Sequence, residues 1–409
     1  MQEIYIARQP IYDRQLDLVA YELLYRDAEY QRFGRSVENP HTSTELLINT
    51  FMEFGLENIV GSNPAFIRMT RDYLLDEQRI PMTTEQIVLE VSVREAPDDA
   101  LCAGLRRIAD AGYDIALDDF SYDPMLLPLL ESATIVKLDL LTLGKEKLAE
   151  QVELCRLHDL TLMVKKVETH EELEFCKELG VDWFQGFFFC KPQLVSGKSR
   201  PANRAVLLSI LSKLQDTSAS IEQLEKVIIQ DVTLAYKLLR YLNSATYAFR
   251  REVNSVREAL MLIGVEQVRR WATLLLISSY RSDKPQELII TAMVRARMCE
   301  LLAEKSHASV EPAQAFTAGL FSTLDALMDM SMDDLLDTIS FSAPIKLALT
   351  ECDGELGQLL KQVLHYEKGE WSDLEVNRFA STDYAMAYLG AVQWVNSSFV
   401  GLLKEAQAS

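Results

Sequence analysis

Short β-type runs alternate with helical runs from the start of the chain to about Pro192, and this alternation most constrains the fold. Two runs expected to pair come first, EIYIARQPIYD and LDLVAYELLYRD. The later strand-type runs are AFIRMT, QIVLEVS, IALDDF, IVKLDLL, LTLMVKKV and VDWFQGFFF. Parallel pairing needs crossovers of a dozen or more residues, which the intervening helical segments supply. The number of repeats predicts a (β/α) barrel, and a doubly wound open sheet is the alternative.

A change of composition then marks a domain boundary. The stretch KPQLVSGKSRPAN, residues 191–203, is rich in Pro, Gly, Ser and Lys. Beyond it the apolar residues follow a helical period, and Ser220 with Gln223 and Ser255 with Glu258 form capping-box patterns. We therefore expect two domains, residues 1–195 and 196–409, of which the second is all-α.

Composition restricts the partners and the compartment. The 409 residues include 61 acidic and 41 basic side chains, and the net charge of −20 weighs against broad binding to nucleic acid or an anionic membrane. No apolar run approaches the roughly 20 residues of a membrane helix, and no signal-peptide pattern opens the chain. Six scattered cysteines suit reduced thiols. We expect a cytoplasmic protein without nucleic-acid or membrane partners.

Polar and charged residues cluster where the predicted strands end. In a parallel barrel these positions converge on one open mouth. They are Glu22, Arg26, Arg68, Glu90, Asp118, Asp119, Lys137, Asp139, Lys165, Glu168 and Gln185. Converging carboxylates repel one another unless cations compensate, and paired Mg²⁺ or Mn²⁺ ions suit phosphodiester chemistry. The alternative for any single carboxylate is a solvated turn position or an ordinary salt bridge.

These residues resemble those of a known family. Glu22-Leu-Leu-Tyr-Arg26 resembles the ExLxR signature of EAL domains, which hydrolyse the bacterial messenger cyclic di-GMP. Further motifs follow in the family's order: Glu90 in LEV, Asp118-Asp119-Phe120, Lys137 in VKLD, Glu168-Thr169, and Gln185-Gly186-Phe187 with Lys191-Pro192. The resemblance covers about the first 195 residues. It implies a distorted (β/α)₈ barrel with two metal ions that generate a hydroxide.

The chain departs from this family pattern in two ligands and one loop. Arg68 stands where the family has a metal-binding asparagine, and Lys165 stands where it has a glutamate. The loop after Asp119 reads SYDPMLLPLL instead of being glycine-rich. Two unit charges about 4 Å apart interact by roughly 4 kcal/mol at an effective dielectric of 20, and a divalent ion doubles this. We therefore expect no metal and no catalytic residue, with Arg68 and Lys165 as counter-ions.

Under the alternative in which a metal does bind, Mg²⁺ or Mn²⁺ would be held by Glu22, Glu90, Asp118 and Asp119. Arg26 and Gln185 match positions that contact nucleotide in the family, but the remodelled loop predicts weak or no binding of cyclic di-GMP.

The second half resembles the HDOD domain, an all-helical relative of HD metal-dependent phosphohydrolases. The resemblance is strongest over QDVTLAYKLLRYLNSA, residues 230–245, and the following VNSVREALMLIG. Ser322 and Thr323 occupy the place of the His-Asp pair, which predicts no active site. An EAL domain followed by an HDOD domain resembles a bacterial signalling arrangement concerned with motility or biofilm choice.

The sequence therefore predicts a non-enzymatic signalling protein, a pseudo-enzyme that acts through unidentified protein partners. Two alternatives remain open. One is an active or weakly active cyclic di-GMP phosphodiesterase, and the other is a sensor that binds cyclic di-GMP.

Overall fold

The structure is a computed structural model, and it divides the chain into two units. It describes residues 4–27, 55–75, 83–93, 97–191, 202–230, 234–235, 238–239, 242, 253, 255–279, 285–306, 310–339, 341–374 and 379–398. One unit comprises Met1–Lys191 with Gln362–Gln393, and the other comprises Pro192–Lys361 with Trp394–Ser409. The boundary expected at residue 195 lies outside the described residues and stays a prediction. Residues 362–393, expected in the second domain, group with the first unit.

Eight strands of the first unit close into a barrel in chain order. They are β1 (Ile4–Tyr12), β2 (Leu18–Asp27), β3 (Ala65–Arg68), β4 (Ile87–Ser92), β5 (Asp114–Asp118), β6 (Ile135–Asp139), β7 (Thr161–Lys165) and β8 (Trp183–Gln185). β1 runs antiparallel to both β2 and β8, and all other neighbours are parallel. The barrel is confirmed, and the open sheet is excluded.

Helices connect the parallel strands. They are α1 (Leu56–Val60), α2 (Arg71–Leu75), α3 (Asp99–Asp110), α4 (Leu127–Leu130), α5 (Leu140–Cys155) and α6 (His170–Glu178). Side-chain caps set where the longer ones begin. Asp98 accepts a hydrogen bond from the Leu101 amide at the start of α3, and Thr169 with Glu172 forms a capping box at the start of α6.

An apolar layer fills the barrel interior. It contains Ile11, Ala20, Phe66, Val88, Ala116, Ile135 and Met163, contributed by seven different strands. Because side chains on a strand alternate between its two faces, the residue two positions further along lies on the same face. The layer therefore sets which residues face the mouth above it.

A C-terminal segment, residues 362–393, packs on β1 within the first unit. The Tyr366 hydroxyl donates to the Ile6 carbonyl over 2.7 Å and accepts from the Ile6 amide over 3.1 Å. The Tyr388 hydroxyl accepts from the Arg8 amide over 3.0 Å. Tyr5 stacks on Trp371 with ring centroids 5.6 Å apart. These contacts join positions about 360 residues apart in sequence, which no local pattern could indicate.

The described elements of the second unit are helical, which confirms the predicted all-α class. The helices after β8 are α7 (Ala202–Gln215), α8 (Ile221–Ile229), α9 (Val256–Ile263), α10 (Val265–Ser279), α11 (Gln286–Lys305), α12 (Pro312–Phe321), α13 (Leu324–Met328), α14 (Met332–Thr338), α15 (Ala343–Glu351), α16 (Gly354–Glu367) and α17 (Ser381–Ser398). The last two extend into residues 362–393. Ser220 and Gln223 form the predicted capping box of α8, and Ser255 caps α9.

Two further observations concern these helices. Most of the HDOD-like stretch at residues 230–245 lies outside the described residues. In the part of the chain that the structure describes, no helix combines the length and the apolar character needed to cross a membrane.

Candidate functional site

The barrel mouth carries a ring of charged side chains directly above the apolar layer. Glu22, Arg68, Glu90, Asp118, Lys137 and Lys165 each lie two residues beyond a layer member on β2 to β7. Strand alternation therefore places all six on the inner face, at the ends where parallel strands converge. On β8, Gln185 occupies the same place beyond Trp183, which packs against the layer.

Lys137 lies at the centre of this ring and is fully buried. Its ammonium group donates to Glu22 over 2.7 Å and to Glu90 over 2.9 Å, and Asp118 lies 3.8 Å away. Gln185 donates a further hydrogen bond to Glu22 over 2.8 Å. Burial opposes a charged lysine, but the surrounding carboxylates outweigh burial and raise the pKa of Lys137. Lys137 is therefore a permanent buried cation.

Arg68 and Lys165 neutralise the outer side of the ring. The Arg68 guanidinium donates to Glu90 over 2.9 Å and also pairs with Asp118. The Lys165 ammonium donates to Asp118 over 2.7 Å and to Asp119 over 2.6 Å. The Arg68 side chain is 44% exposed, whereas that of Lys165 is 12% exposed. The two residues thus act as counter-ions, and Arg68 is the more accessible one.

The three buried carboxyl groups respond differently to this environment. Burial raises the pKa of Glu90 to about 7, with repulsion from Glu22 and Asp118 exceeding the attraction of Lys137 and Arg68. Burial also acts on Glu22 and Asp118, but Lys137 holds the pKa of both below the usual range. With Glu90 protonated, the carboxylates of Glu22, Asp118 and Asp119 balance Arg68, Lys137 and Lys165 among the described side chains.

Unusual backbone conformations surround the mouth. Asp119 after β5 has φ 54°, and Lys166 after β7 has φ 61°, so both adopt the left-handed conformation that is uncommon for residues other than glycine. The Lys166 ammonium group forms an ion pair with Asp139, with 2.7 Å between Nζ and Oδ2. After β8, a Cβ at Gly186 would lie 1.8 Å from the Val167 carbonyl oxygen, so only glycine fits.

Two predicted members are not part of the described ring. Glu168 is exposed and pairs with Lys191 over 3.2 Å. Arg26 lies on β2, but its side chain lies outside the described residues.

Sequence reasoning also missed two hydroxyl groups near the ring. Thr70 Oγ1 and Ser92 Oγ are buried and make no hydrogen bond within the described residues. Ser92 lies on β4 two positions beyond Glu90, so strand alternation would have found it, whereas Thr70 follows the end of β3 and is not reached by that alternation.

The carboxylates of the ring are suitable ligands for a hard divalent cation, but in this structure they pair with the ammonium groups of Lys137 and Lys165. Carboxylate oxygens are the ligands that Mg²⁺ and Mn²⁺ prefer. Within the described residues, no three barrel carboxylates have oxygens that all lie within 4.8 Å of one another. The group that meets this distance among the described residues is His365, Glu370 and Asp373, on the C-terminal segment. Lys137 and Lys165 bridge the barrel carboxylates instead. A divalent cation and these ammonium groups would therefore compete for the same carboxylate oxygens.

Comparison with protein families assigns both halves. The model of the EAL domain matches residues 60–192, and the model of the HDOD domain matches residues 201–339. The first match includes Arg68, Glu90, Asp118, Asp119, Lys137, Lys165 and Gln185. The match begins after β2, so Glu22 and the rest of the ExLxR motif lie outside it and extend the resemblance towards the N-terminus.

Relatives share the arrangement over nearly the whole chain. Cyclic di-GMP phosphodiesterase CdgJ of Vibrio cholerae is 31% identical over 379 residues, 92% of this chain and 87% of the relative. Uncharacterized protein YuxH of Bacillus subtilis is 26% identical over 404 residues, 96% of this chain and 98% of the relative.

Solved structures of EAL proteins are similar to part of this chain. An EAL domain protein of Listeria monocytogenes is 20% identical with a TM-score of 0.36 and covers 46% of this chain and 87% of its own. BlrP1 of Klebsiella pneumoniae, as a manganese and cyclic di-GMP complex, is 21% identical with a TM-score of 0.38 and covers 46% and 55%.

Two predictions from the sequence are corrected. The prediction that the chain is not an enzyme is wrong, because the relative that matches 92% of the chain is named a phosphodiesterase. The expected absence of a cofactor is also wrong, since similar EAL structures are described as manganese or calcium complexes with cyclic di-GMP. The physical error was to treat Arg68 and Lys165 as fixed. Arg68 is half exposed on a long side chain, and all four carboxylates remain.

The ordered motifs, the two domain matches and the 31% identity over 92% of the chain lead to one conclusion. This chain belongs to the bacterial family of proteins that join an EAL domain to an HDOD domain.

Proposed function

We propose that the chain hydrolyses cyclic di-GMP with the help of a divalent cation. The observation that carries this proposal is the ring of Glu22, Glu90, Asp118 and Asp119 at the barrel mouth, in a chain similar to a phosphodiesterase over 92% of its length. The reaction adds water across one phosphorus–oxygen bond and opens the cyclic dinucleotide to a linear one.

Glu22, Glu90, Asp118 and Asp119 are the residues that would hold the cation. A bound divalent ion would supply charge neutralisation and lower the pKa of a water molecule. Glu90 supports this assignment, since burial, together with repulsion from Glu22, raises its pKa to about 7 despite the attraction of Lys137 and Arg68. Ionisation of Glu90 above neutral pH leaves an excess negative charge that attracts a cation.

The cationic and neutral side chains of the mouth would bind and orient the nucleotide. Arg68 reaches solvent, and its planar guanidinium suits two oxygens of a phosphodiester. Gln185 holds Glu22 by a hydrogen bond of 2.8 Å and so orients that carboxylate. Movement of Arg68 onto the phosphate would remove one cation from Glu90 and Asp118, while Lys137 would stay on Glu90 and Lys165 on Asp118.

The test is an assay of the purified full-length protein with cyclic di-GMP and either Mn²⁺ or Mg²⁺, with chromatographic separation of the linear product. We expect turnover that a chelator abolishes. Glu22→Gln should lose roughly 100-fold in rate because a ligand is lost. Glu171→Gln is the matched control, because this exposed carboxylate pairs only with Lys145 among the described residues. A folded protein that forms no product with either metal at millimolar concentration would refute the proposal.

We further propose that the protein is a cytoplasmic signalling protein whose helical unit contacts other proteins. All six cysteines are free thiols, as expected for a reducing compartment. Affinity capture from the native bacterium with and without cyclic di-GMP would test for partners, and a partner set that requires residues 202–339 is the expected result.

A further inference from the structure

The second unit contains a cavity of about 80 Å³ between α7, α10 and α12. Its lining includes Gln267, Arg269, Phe316, Thr317, Leu320 and Phe321. A cavity needs only about 10–15 Å³ by this measure to hold one water molecule. The space therefore accepts a group of several heavy atoms.

Arg269 is the unexplained residue of this cavity. It is 6% exposed, and its Nε is buried without a hydrogen-bond partner in the described part of the chain. The nearest carboxylate described, that of the exposed Glu266, lies 3.8 Å from Nε, beyond hydrogen-bond distance. Asp216 also acts on Arg269 electrostatically, and its Oδ1 atom accepts two hydrogen bonds from Ser218. Arg269 is thus a buried cation, and the nearest described carboxylate is too far from Nε for a hydrogen bond.

The neighbouring arginines differ from Arg269 in that their terminal nitrogens pair with a carboxylate. Arg270 donates to Glu300 through both terminal nitrogens and lies 3.5 Å above the Phe316 ring. Arg297 pairs with the same carboxylate. Glu300 is therefore shared by two cations and has no capacity to spare for Arg269. Nε of both Arg270 and Arg297 is also buried without a partner.

Buried charges are costly unless they are paired, and a buried N–H without an acceptor indicates a missing ligand or water. Arginine forms paired hydrogen bonds with carboxylate and phosphate groups. Gln267 and Thr317 add polar groups to the same walls, while Phe316, Leu320 and Phe321 supply apolar surface. We propose that this cavity binds the phosphate or carboxylate group of a small metabolite, with Arg269 as its principal donor. This site is separate from the barrel mouth and goes beyond the proposed hydrolysis.

Binding of inorganic phosphate or acetate to the full-length protein, measured by calorimetry at constant ionic strength, tests the proposal. We expect at least one of them to bind saturably and to raise the melting temperature by about 3 °C at ten times its dissociation constant. The stronger probe identifies the chemistry, a tetrahedral phosphate or a planar carboxylate. Arg269→Gln should weaken binding at least tenfold.

Two further variants guard against misreading a folding defect or a second site. Ala313→Leu retains every charge but adds a larger apolar side chain at an exposed position of the lining, and it should also weaken binding at least tenfold. Arg257→Gln, on α9 outside the lining, should bind as the native chain does. The proposal is overturned if neither probe binds by 20 mM. It is also overturned if Arg269→Gln binds normally, or if Arg68→Gln with Lys165→Gln removes the binding and Arg269→Gln does not.

Discussion

The barrel mouth and the helical cavity both bury a cation, and they treat it in opposite ways. Lys137 is fully buried and has carboxylate oxygens at 2.7 and 2.9 Å. Arg269 is almost as buried, yet the nearest carboxylate described is 3.8 Å away and exposed. The difference teaches that burial alone does not define the role of a charge. A tightly paired cation is part of the framework, whereas a loosely paired one is available to a ligand.

Removal of Lys137 should produce the largest effect. In Lys137→Met the carboxylates of Glu22, Glu90 and Asp118 lose their shared ammonium, and we expect a loss of about 3–5 kcal/mol in the free energy of unfolding. Chemical denaturation of the barrel transition measures it. Lys145→Met removes an exposed partner of Glu171 and should leave the denaturation midpoint near that of the native chain. Equal effects of the two substitutions would break the distinction between framework and surface cations.

The pH dependence of stability should identify Glu90. Its pKa is about 7 in the folded state and about 4.5 ordinarily, so the unfolded chain loses this proton first as pH rises. The free energy of unfolding should therefore fall by about 2–3 kcal/mol between pH 4.5 and pH 7. Asp118 acts in the other direction, but only at lower pH, since its pKa is depressed.

Glu90→Gln should remove most of that decrease, because an amide does not ionise. Glu171→Gln, an exposed control, should leave the slope unchanged. A native slope that persists in Glu90→Gln would assign the titration to another group.

Arg68 should regulate the affinity of the mouth for a cation. Arg68→Asn removes a positive charge and adds an amide oxygen, so Mn²⁺ should bind about tenfold more tightly, which corresponds to roughly 1.4 kcal/mol. Calorimetric titration with Mn²⁺ measures the change, and Arg106→Asn, whose described partner is the exposed Glu131, is the control. Unchanged affinity would mean that Arg68 already withdraws at negligible cost.

The smallest effect is expected at Arg269. Because this guanidinium is loosely paired, Arg269→Met should change the free energy of unfolding by no more than about 1 kcal/mol, and stabilisation is the favoured direction. Thermal unfolding without added anions measures it. A loss as large as that of Lys137→Met would make Arg269 a framework cation and would remove the contrast between the two regions.

Much of the barrel and its site could be predicted from the sequence because both depend on local patterns. Strand periodicity located the strand ends, and the ordered motifs named Glu22, Glu90, Asp118, Lys137 and Lys165. The position of Arg68 and Lys165 as counter-ions was also accessible, since unlike charges at one mouth attract. The conclusion drawn from them, loss of enzymatic activity, was wrong because a charge does not reveal how far its side chain can move.

Other features depend on contacts that a sequence pattern does not contain. Glu168 belongs to a family motif, but a left-handed turn at Lys166 precedes it and it pairs with Lys191 outside the ring. The cavity at Arg269 arises where α7, α10 and α12 meet, so its lining comes from distant parts of the chain. The structure buries Arg269 and pairs Arg270 with Glu300, a difference between adjacent arginines that no sequence pattern indicates.

The hydroxyl of Tyr366 has a consequence for how the protein is made. It hydrogen-bonds to both the backbone amide and the carbonyl of Ile6. The first strand to be synthesised therefore lacks these two hydrogen bonds until Tyr366, 360 residues later, has been added. Until then the ring of Tyr5 lacks Trp371 beside it. Non-local pairing of this kind slows folding and leaves apolar surface exposed during translation. A gene fragment that encodes only the first 195 residues should therefore yield an aggregation-prone product, and enzymology belongs on the intact polypeptide.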